Sequence, residues 1–168
     1  MERNGRVEGR TMRVGIGFDI HRLAAGTPLI LGGVPIPSEK GLQGHSDADL
    51  LLHALCDALL GAVGEGDIGT YFPDTDPRWK NASSRIFVEK ALERVASHGM
   101  KVANVDFVLV TEAPKIAPHR EKIRDSTAAL LGVDPSQVNL KAKTMERLGP
   151  IGEGQAMAAY AVVLLEKR

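Results

Sequence analysis

The sequence predicts an α/β (α+β) fold in a single domain, and three observations predict it. Strand-like apolar runs at residues 13–23, 101–111, 138–144 and 155–166 are interleaved with segments of helical periodicity. Two short apolar runs flank Gly32-Gly33, a β-hairpin signal. The 168 residues hold no internal repeat and no linker, a length that one core fills.

Composition narrows the function classes. The chain has 21 basic and 21 acidic residues, for a formal net charge of zero. That excludes a nucleic acid or an acidic membrane surface held by bulk charge. The lone cysteine, Cys56, excludes an internal disulfide, fits a reducing compartment and is expected to pack in the core. No apolar run reaches membrane-spanning length and the N-terminus lacks the apolar centre of a signal peptide. A cytoplasmic location with no membrane partner is therefore expected.

Residues 1–12 mix Arg, Glu and Gly and predict a disordered extension ahead of a domain over 13–168. In the first strand, Gly15-Ile16-Gly17-Phe18-Asp19-Ile20-His21, side chains alternate. Asp19 and His21 then share one face, and Ile20 points the other way into a core. A carboxylate beside an imidazole offers two ligands to a metal such as zinc, which takes three protein ligands and leaves one position open when catalytic. The hairpin follows at 28–37 and a loop at 41–44. His45-Ser46-Asp47-Ala48-Asp49 then leads into a helix over 50–63, with Ser46 the expected N-cap and Asp49 in the first turn. Leu52, Leu55, Leu59 and Ala62 recur at helical spacing and face the core. Asp49, His53 and Asp57 form a separate polar stripe. It makes His53 the candidate third ligand, with a carboxylate one turn away to orient its second ring nitrogen. His45 lies near the positive helix end, where anions bind. Spacing alone does not bring the strand end and the helix together, and each histidine taken singly reads as a surface or capping residue.

The irregular stretch over 64–81 contains Gly66-Asp67-Ile68-Gly69 and Phe72-Pro73-Asp74-Thr75-Asp76-Pro77. Backbone amides and carboxylates in such a loop can hold hydroxyls and phosphates, although Asp76 beside Pro77 is as readily a turn former. Residues 81–84 cap a helix that runs to about 98 and stops at Gly99. The strand over 101–111 ends apolar enough for burial on both faces. The loop over 112–119 lies at its carboxyl end, where ligands bind in α/β folds. Pro118 opens a helix that Gly132 ends. A strand, a capped turn at Thr144-Met145-Glu146-Arg147-Leu148-Gly149, a glycine-rich stretch and the last strand complete the chain.

Gly17-Phe18-Asp19-Ile20-His21, His45-Ser46-Asp47-Ala48-Asp49 with His53, Gly66-Asp67-Ile68-Gly69, Phe72-Pro73-Asp74-Thr75-Asp76-Pro77, Ala113-Pro114-Lys115 and Thr144-Met145-Glu146 occur in order from about residue 13 to the C-terminus. Together they resemble the 2-C-methyl-D-erythritol 2,4-cyclodiphosphate synthase family, the cyclising enzymes of the non-mevalonate isoprenoid pathway. The resemblance implies a homotrimer, with a four-stranded mixed sheet covered by helices on one face, a small hairpin, and sheets packed around a three-fold axis. Active sites would lie between subunits. It implies zinc on Asp19, His21 and His53, and a second ion, magnesium or manganese, on Glu146 with the substrate diphosphate. It implies transition-state stabilisation by His45 and Thr144.

By the same resemblance the erythritol phosphate, with Asp19 and His21 at the metal, would be bound by His45, Ser46, Asp67, Ile68, Gly69, Phe72, Pro73, Asp74, Thr75 and Asp76. The cytidine diphosphate substrate would find its nucleoside pocket at Thr111, Ala113, Pro114, Lys115, Ile116 and Ala117, with Ala142, Lys143, Thr144, Met145 and Glu146 of a neighbouring subunit. The implied reaction is attack of a 2-phosphate on the β-phosphorus with release of CMP, a phosphorus–oxygen lyase activity. Lys143 departs from the family's small hydroxyl residue. Glu153 stands where some members have an arginine beside a central cavity, and is expected to repel an isoprenoid diphosphate there. Two other readings compete: a zinc-dependent phosphohydrolase in which the same ligands activate water, and a trimeric nucleotide-binding scaffold in which zinc is structural.

Overall fold

Two glycines of the first strand decide how the layers stack. The computed structural model describes residues 11–168. The extension expected over 1–12 lies outside that range up to residue 10, and Met12 already stands in the first strand, β1 (Met12–Ala25). Gly15 and Gly17 lie on its inner face. A Cβ at either would come within 1.9 Å of a backbone oxygen, Ala58 O for Gly15 and Ala54 O for Gly17. Without side chains there, the helix α1 (Leu50–Val63) settles directly on the strand.

The hairpin forms as expected from β2 (Leu29–Leu31) and β3 (Val34–Ile36). Its two central glycines adopt φ of 59° and 77°, the left-handed geometry that a tight hairpin turn demands. Next comes β4 (Lys40–Gln43), which pairs antiparallel with residues 22–25 of β1. The sheet therefore has five strands rather than four, and the expected loop at 41–44 is largely an edge strand. Its four residues carry no alternation of their own, and the pairing with β1 makes them a strand.

After α1 come α2 (Ile68–Tyr71), α3 (Arg85–Ser97), β5 (Met100–Val110), α4 (Arg120–Leu131), β6 (Val138–Lys143), α5 (Gly149–Gly152) and β7 (Ala156–Lys167). The sheet order is β4-β1-β7-β5-β6, antiparallel except for the parallel β5/β6 pair, so the mixed sheet is as expected. Helices cover one face. α1 lies over β1 and β7, α3 beside α1 against β5, and α4 against β6. Eleven of the fourteen α1 residues are buried, among them Leu52, Leu55, Leu59, Ala62 and Cys56. They form one buried core with Phe107 and Leu109 of β5 and Ala159, Ala161 and Val163 of β7. Burying one such Leu contributes about 1.5–3 kcal/mol.

Among the described residues no helix covers the opposite face. Met12, Val14, Ile16, Phe18, Ile20, Tyr160 and Val162 are exposed there, Ile16 by 67%. Ile20 points away from Asp19 and His21 as alternation requires, but onto this uncovered face and not into a core. On β5, Val108 and Val110 on that side are half-buried, so the strand is fully buried on one face only.

The start of α1 also differs from expectation. Asp49, not Ser46, is the N-cap, and its carboxylate accepts from Leu52 N. The same fully buried carboxylate accepts from the amides of Gly32 at 2.9 Å and Gly33 at 2.6 Å, tying the hairpin turn to the helix. Ser46 and Asp49 are equally good caps three residues apart, and the hairpin amides select Asp49.

Candidate functional site

Alternation along β1 turns Asp19 and His21 to the helix side of the sheet. The glycine bed brings α1 close enough for His53 to meet them. Asp19 Oδ2 lies 3.0 Å from His21 Nε2 and 3.0 Å from His53 Nδ1, and the two imidazole nitrogens are 3.2 Å apart. The donor atoms of a tetrahedral zinc, each about 2.0–2.1 Å from the ion, stand about 3.3 Å from one another. These three atoms thus form a triangle close to one face of such a tetrahedron, and Asp19, His21 and His53 can hold a metal ion.

Each imidazole is held from behind. His21 Nδ1 donates to the Gln43 carbonyl of β4 at 2.9 Å, which turns Nε2 toward the cluster. Gly44 leaves room for this ring: a Cβ there would lie 3.0 Å from His21 Cε1. His53 Nε2 faces two hydroxyls, Ser84 Oγ at 2.8 Å and Ser46 Oγ at 3.0 Å. The stripe carboxylates expected to orient that nitrogen do other work. Asp49 caps α1, and Asp57 accepts from Ile68 N at 2.7 Å, fixing the start of α2. Burial opposes the charge on Asp19, but the hydrogen bonds and charge of His21 and His53 outweigh it and hold the carboxyl well below the usual range. Burial likewise works against a charged His21, and Asp19 overrides it to raise the imidazole pKa.

The cluster sits in a cleft of about 510 Å³, lined also by His45, Ser46, Ile68, Gly69, Phe72, Pro73, Asp74, Trp79 and Phe87. Most of the residues matched to the erythritol phosphate therefore do surround the three ligands. Asp67 instead caps α2, accepting from Thr70 N. Thr75 lies outside the lining. Asp76 contributes its carbonyl, 3.2 Å from His45 Nε2, while its carboxylate pairs with Arg78. Phe87 and Trp79 were not singled out in the sequence. Phe87 was legible only as a helix-face apolar residue, and Trp79 only as the chain's single tryptophan.

None of the residues matched to the nucleoside pocket lines this cleft. Thr111, Ala113, Pro114, Lys115, Ile116 and Ala117 follow β5, and Ala142, Lys143, Thr144, Met145 and Glu146 end and follow β6. They are neighbours of one another: Thr111 N donates to Lys143 O at 2.9 Å. Ala113 and Pro114 border a separate hollow of about 370 Å³ with Leu23, Ser38, Glu39, Lys40 and Gly154. Thr144 Oγ1 donates to Glu146 Oε1 at 2.8 Å. Glu146 and Arg147 have φ of 51° and 63°, unusual for residues with side chains. Glu112 steadies this turn by accepting from Met145 N at 2.8 Å and Arg147 N at 3.3 Å. Glu112 carried no sequence signal for that role.

Fold and site define a class: a one-domain α+β protein with an open Asp/His/His centre where one sheet strand meets its covering helix. The chain belongs to the YgbB family, whose model matches residues 12–166. The 2-C-methyl-D-erythritol 2,4-cyclodiphosphate synthase of Desulfatibacillum aliphaticivorans is 56% identical over 155 residues, 92% of this chain and 100% of that one. A solved structure of a 2C-methyl-D-erythritol-2,4-cyclodiphosphate synthase in a CDP-bound form is similar with a TM-score of 0.85 and 44% identity, over 91% of this chain and 99% of that one. The bifunctional IspDF from Campylobacter jejuni is similar at a TM-score of 0.91 and 38% identity, over 95% of this chain but 43% of that longer one. The resemblance carried by the motifs is thereby borne out at the level of the family.

Proposed function

We propose that this chain converts 4-diphosphocytidyl-2-C-methyl-D-erythritol 2-phosphate to 2-C-methyl-D-erythritol 2,4-cyclodiphosphate and CMP. It acts as a phosphorus–oxygen lyase of isoprenoid precursor synthesis. The observation that carries this reading is the triangle of Asp19, His21 and His53 ligand atoms at one end of the cleft, in a chain of this family. The names of the relatives and the CDP-bound similar structure support the substrate class.

The reaction needs no protein nucleophile. An oxygen of the 2-phosphate bonds to the β-phosphorus as the bond from that phosphorus to the bridging oxygen of CMP breaks. CMP leaves with the electron pair. Both reacting groups belong to one anionic molecule, so holding it folded is much of the catalytic task. Zinc on Asp19, His21 and His53, with magnesium or manganese on Glu146, supplies Lewis acidity and neutralises phosphate charge when bound. One exposed carboxylate at Glu146 suits a hard ion held mainly by phosphate oxygens. His45, Ser46 and the amides of the 67–69 turn hold the phosphorylated erythritol, Pro73 and Asp74 border its enclosure, and Asp67 and Asp76 fix the turns that form it. Phe72, Phe87 and Trp79 give the cleft an apolar wall that excludes water. His45 and Thr144 stabilise the charge that develops on phosphate in the transition state.

The separation of the two groups of residues fits a site completed by a second copy of the chain. The uncovered sheet face, with Val14, Ile16, Phe18, Ile20 and Val162 exposed, supports packing of three sheets around an axis. Among the described residues no helix is long and apolar enough to cross a membrane. In this reading the catalytic domain spans the residues that the family model matches, 12–166.

Phosphorus NMR of the protein with the cytidylyl substrate, zinc and magnesium tests the proposal. Cyclic diphosphate plus CMP, abolished by a chelator, is the expected result. Inorganic phosphate would replace the cyclase with a hydrolase. No turnover with zinc bound would leave a scaffold.

A further inference from the structure

His53 is the only one of the three candidate ligands whose far side is closed by side chains. Its Nε2 looks into a buried corner where the loop before α1 meets the loop before α3. Two backbone hydrogen bonds join these loops, Asn81 N to His45 O at 2.8 Å and Asp47 N to Ala82 O at 3.0 Å. The join places Ser84, with 0% exposure, between His53 and Asp47. Ser84 Oγ is 2.8 Å from His53 Nε2 and donates its own proton in a very short hydrogen bond to Asp47 Oδ1. Ser84 N donates to the other oxygen, Asp47 Oδ2, at 3.0 Å. Asp49 N also donates to Asp47 Oδ1, at 3.2 Å. The carboxylate is thus gripped on both oxygens, and it can only accept.

The direction of this chain follows from proton counting. A serine hydroxyl has one proton. With that proton given to Asp47, Ser84 Oγ offers His53 only a lone pair, and Nε2 must bring the hydrogen. An imidazole that carries its proton on Nε2 has its free lone pair on Nδ1, the nitrogen that faces Asp19 and His21. The Ser84 hydroxyl does nothing for the helix it precedes, since the side chain makes no capping bond to α3. A fully buried hydroxyl that is not a cap needs another reason to be there.

We infer that Asp47 and Ser84 are positioning residues for the metal: a carboxylate–hydroxyl relay that accepts the Nε2 proton of His53 and holds its Nδ1 as a ligand. The inference rests on the reading that Asp19, His21 and His53 bind zinc. The relay lengthens by one hydroxyl the arrangement in which a carboxylate takes the second nitrogen of a ligating histidine. Ser46 Oγ reaches the same Nε2 at 3.0 Å but has no carboxylate bond behind it; its other contacts are Ser84 Oγ at 3.4 Å and Ala48 N at 3.3 Å. It is the internal control.

Zinc affinity is measured by competition with a chromophoric chelator for the wild type, Ser84→Ala, Asp47→Asn and Ser46→Ala. The Nε2 proton of His53 is followed by nitrogen-15 NMR in the zinc-loaded proteins. Ser84→Ala is expected to weaken zinc binding about 10–100-fold and to expose the Nε2 proton to fast exchange with water. Asp47→Asn weakens binding less, because an amide oxygen still accepts from the serine without the charge. Ser46→Ala leaves both readouts near wild type. Wild-type affinity and a protected Nε2 proton in Ser84→Ala would overturn the relay, as would equal losses in Ser46→Ala and Ser84→Ala with Asp47→Asn unaffected. If Ser84→Ala fails to fold, wild-type behaviour of Asp47→Asn in both readouts overturns it. A wild-type protein that takes up no zinc removes the metal reading itself, and the relay with it.

Discussion

At the end of β1, three ligand atoms stand within 3.2 Å of one another, and both imidazoles have a hydrogen-bond partner on the far side. At the ends of β5 and β6, Thr144, Met145 and Glu146 lie exposed, held to the fold by the Glu112 carboxylate. One region is assembled by the chain alone, from a strand, a helix and two loops that lock each other. The other is a ledge at the ends of two strands, exposed in the single chain. In the proposed reading, the contrast lets one fold serve a reaction shared between subunits. The charged centre that must be geometrically strict is built within a chain, and the part proposed to grip the rest of the substrate would be met by a neighbour.

The comparison breaks most readily at the metal triangle. His53→Ala is expected to abolish zinc binding and lower cyclic diphosphate formation by about a thousand-fold or more, the scale of several kcal/mol of metal charge stabilisation. Metal analysis and phosphorus NMR check this, while the oligomer mass stays unchanged. Retained activity would remove the triangle from the mechanism. Gly17→Ala tests the bed beneath it. With a Cβ 1.9 Å from Ala54 O, α1 must lift from β1. A stability loss of about 1–3 kcal/mol or more, read by urea unfolding, should accompany weakened zinc binding.

A third change sharpens the contrast from the other side. Glu112→Ala frees the amides of Met145 and Arg147 and lets the turn with two positive φ angles relax. Turnover is expected to fall about tenfold, the worth of a charge-assisted hydrogen bond, with a higher requirement for magnesium and unaltered zinc content. Loss of zinc in this variant would mean that the two regions are not independent.

The smallest effect concerns a charge cluster where the loop after α1 meets the end of α3. Glu65 accepts from Arg94, Tyr71 and His98, with Arg94 the strongest influence, and its carboxyl is pulled from 4.5 to about 2. A depressed folded-state value stabilises the fold above the unfolded value, and that stability is lost as the pH falls from about 4.5 toward 2. Acid titration of thermal stability should therefore be shallower in Glu65→Gln over that window, with no difference at neutral pH slopes.

How much of this was legible in the sequence varies by residue. Asp19 and His21 could be paired because strand alternation is strict, and His53 because a polar stripe stands out on an apolar helix. Alternation also put Ile20 on the opposite face, but it cannot say which face a helix will cover. β4 escaped because four residues are too short to show a period, and its pairing to β1 is what makes it a strand. Ser84 and Asp47 escaped because 37 residues separate them and nothing local requires that they meet. Hydrogen bonds that close a site across the fold leave no trace in spacing.

The burial of α1 also sets clocks. A helix with eleven of fourteen residues buried has no solvent-facing turn to open by itself, so its amides exchange hydrogen with water only when the whole domain unfolds. The stretch over 64–81, with much of its backbone at the surface, exchanges through local opening instead. His53 is therefore expected to be held on a slower timescale than the loop over the same cleft, a difference that amide hydrogen exchange reads.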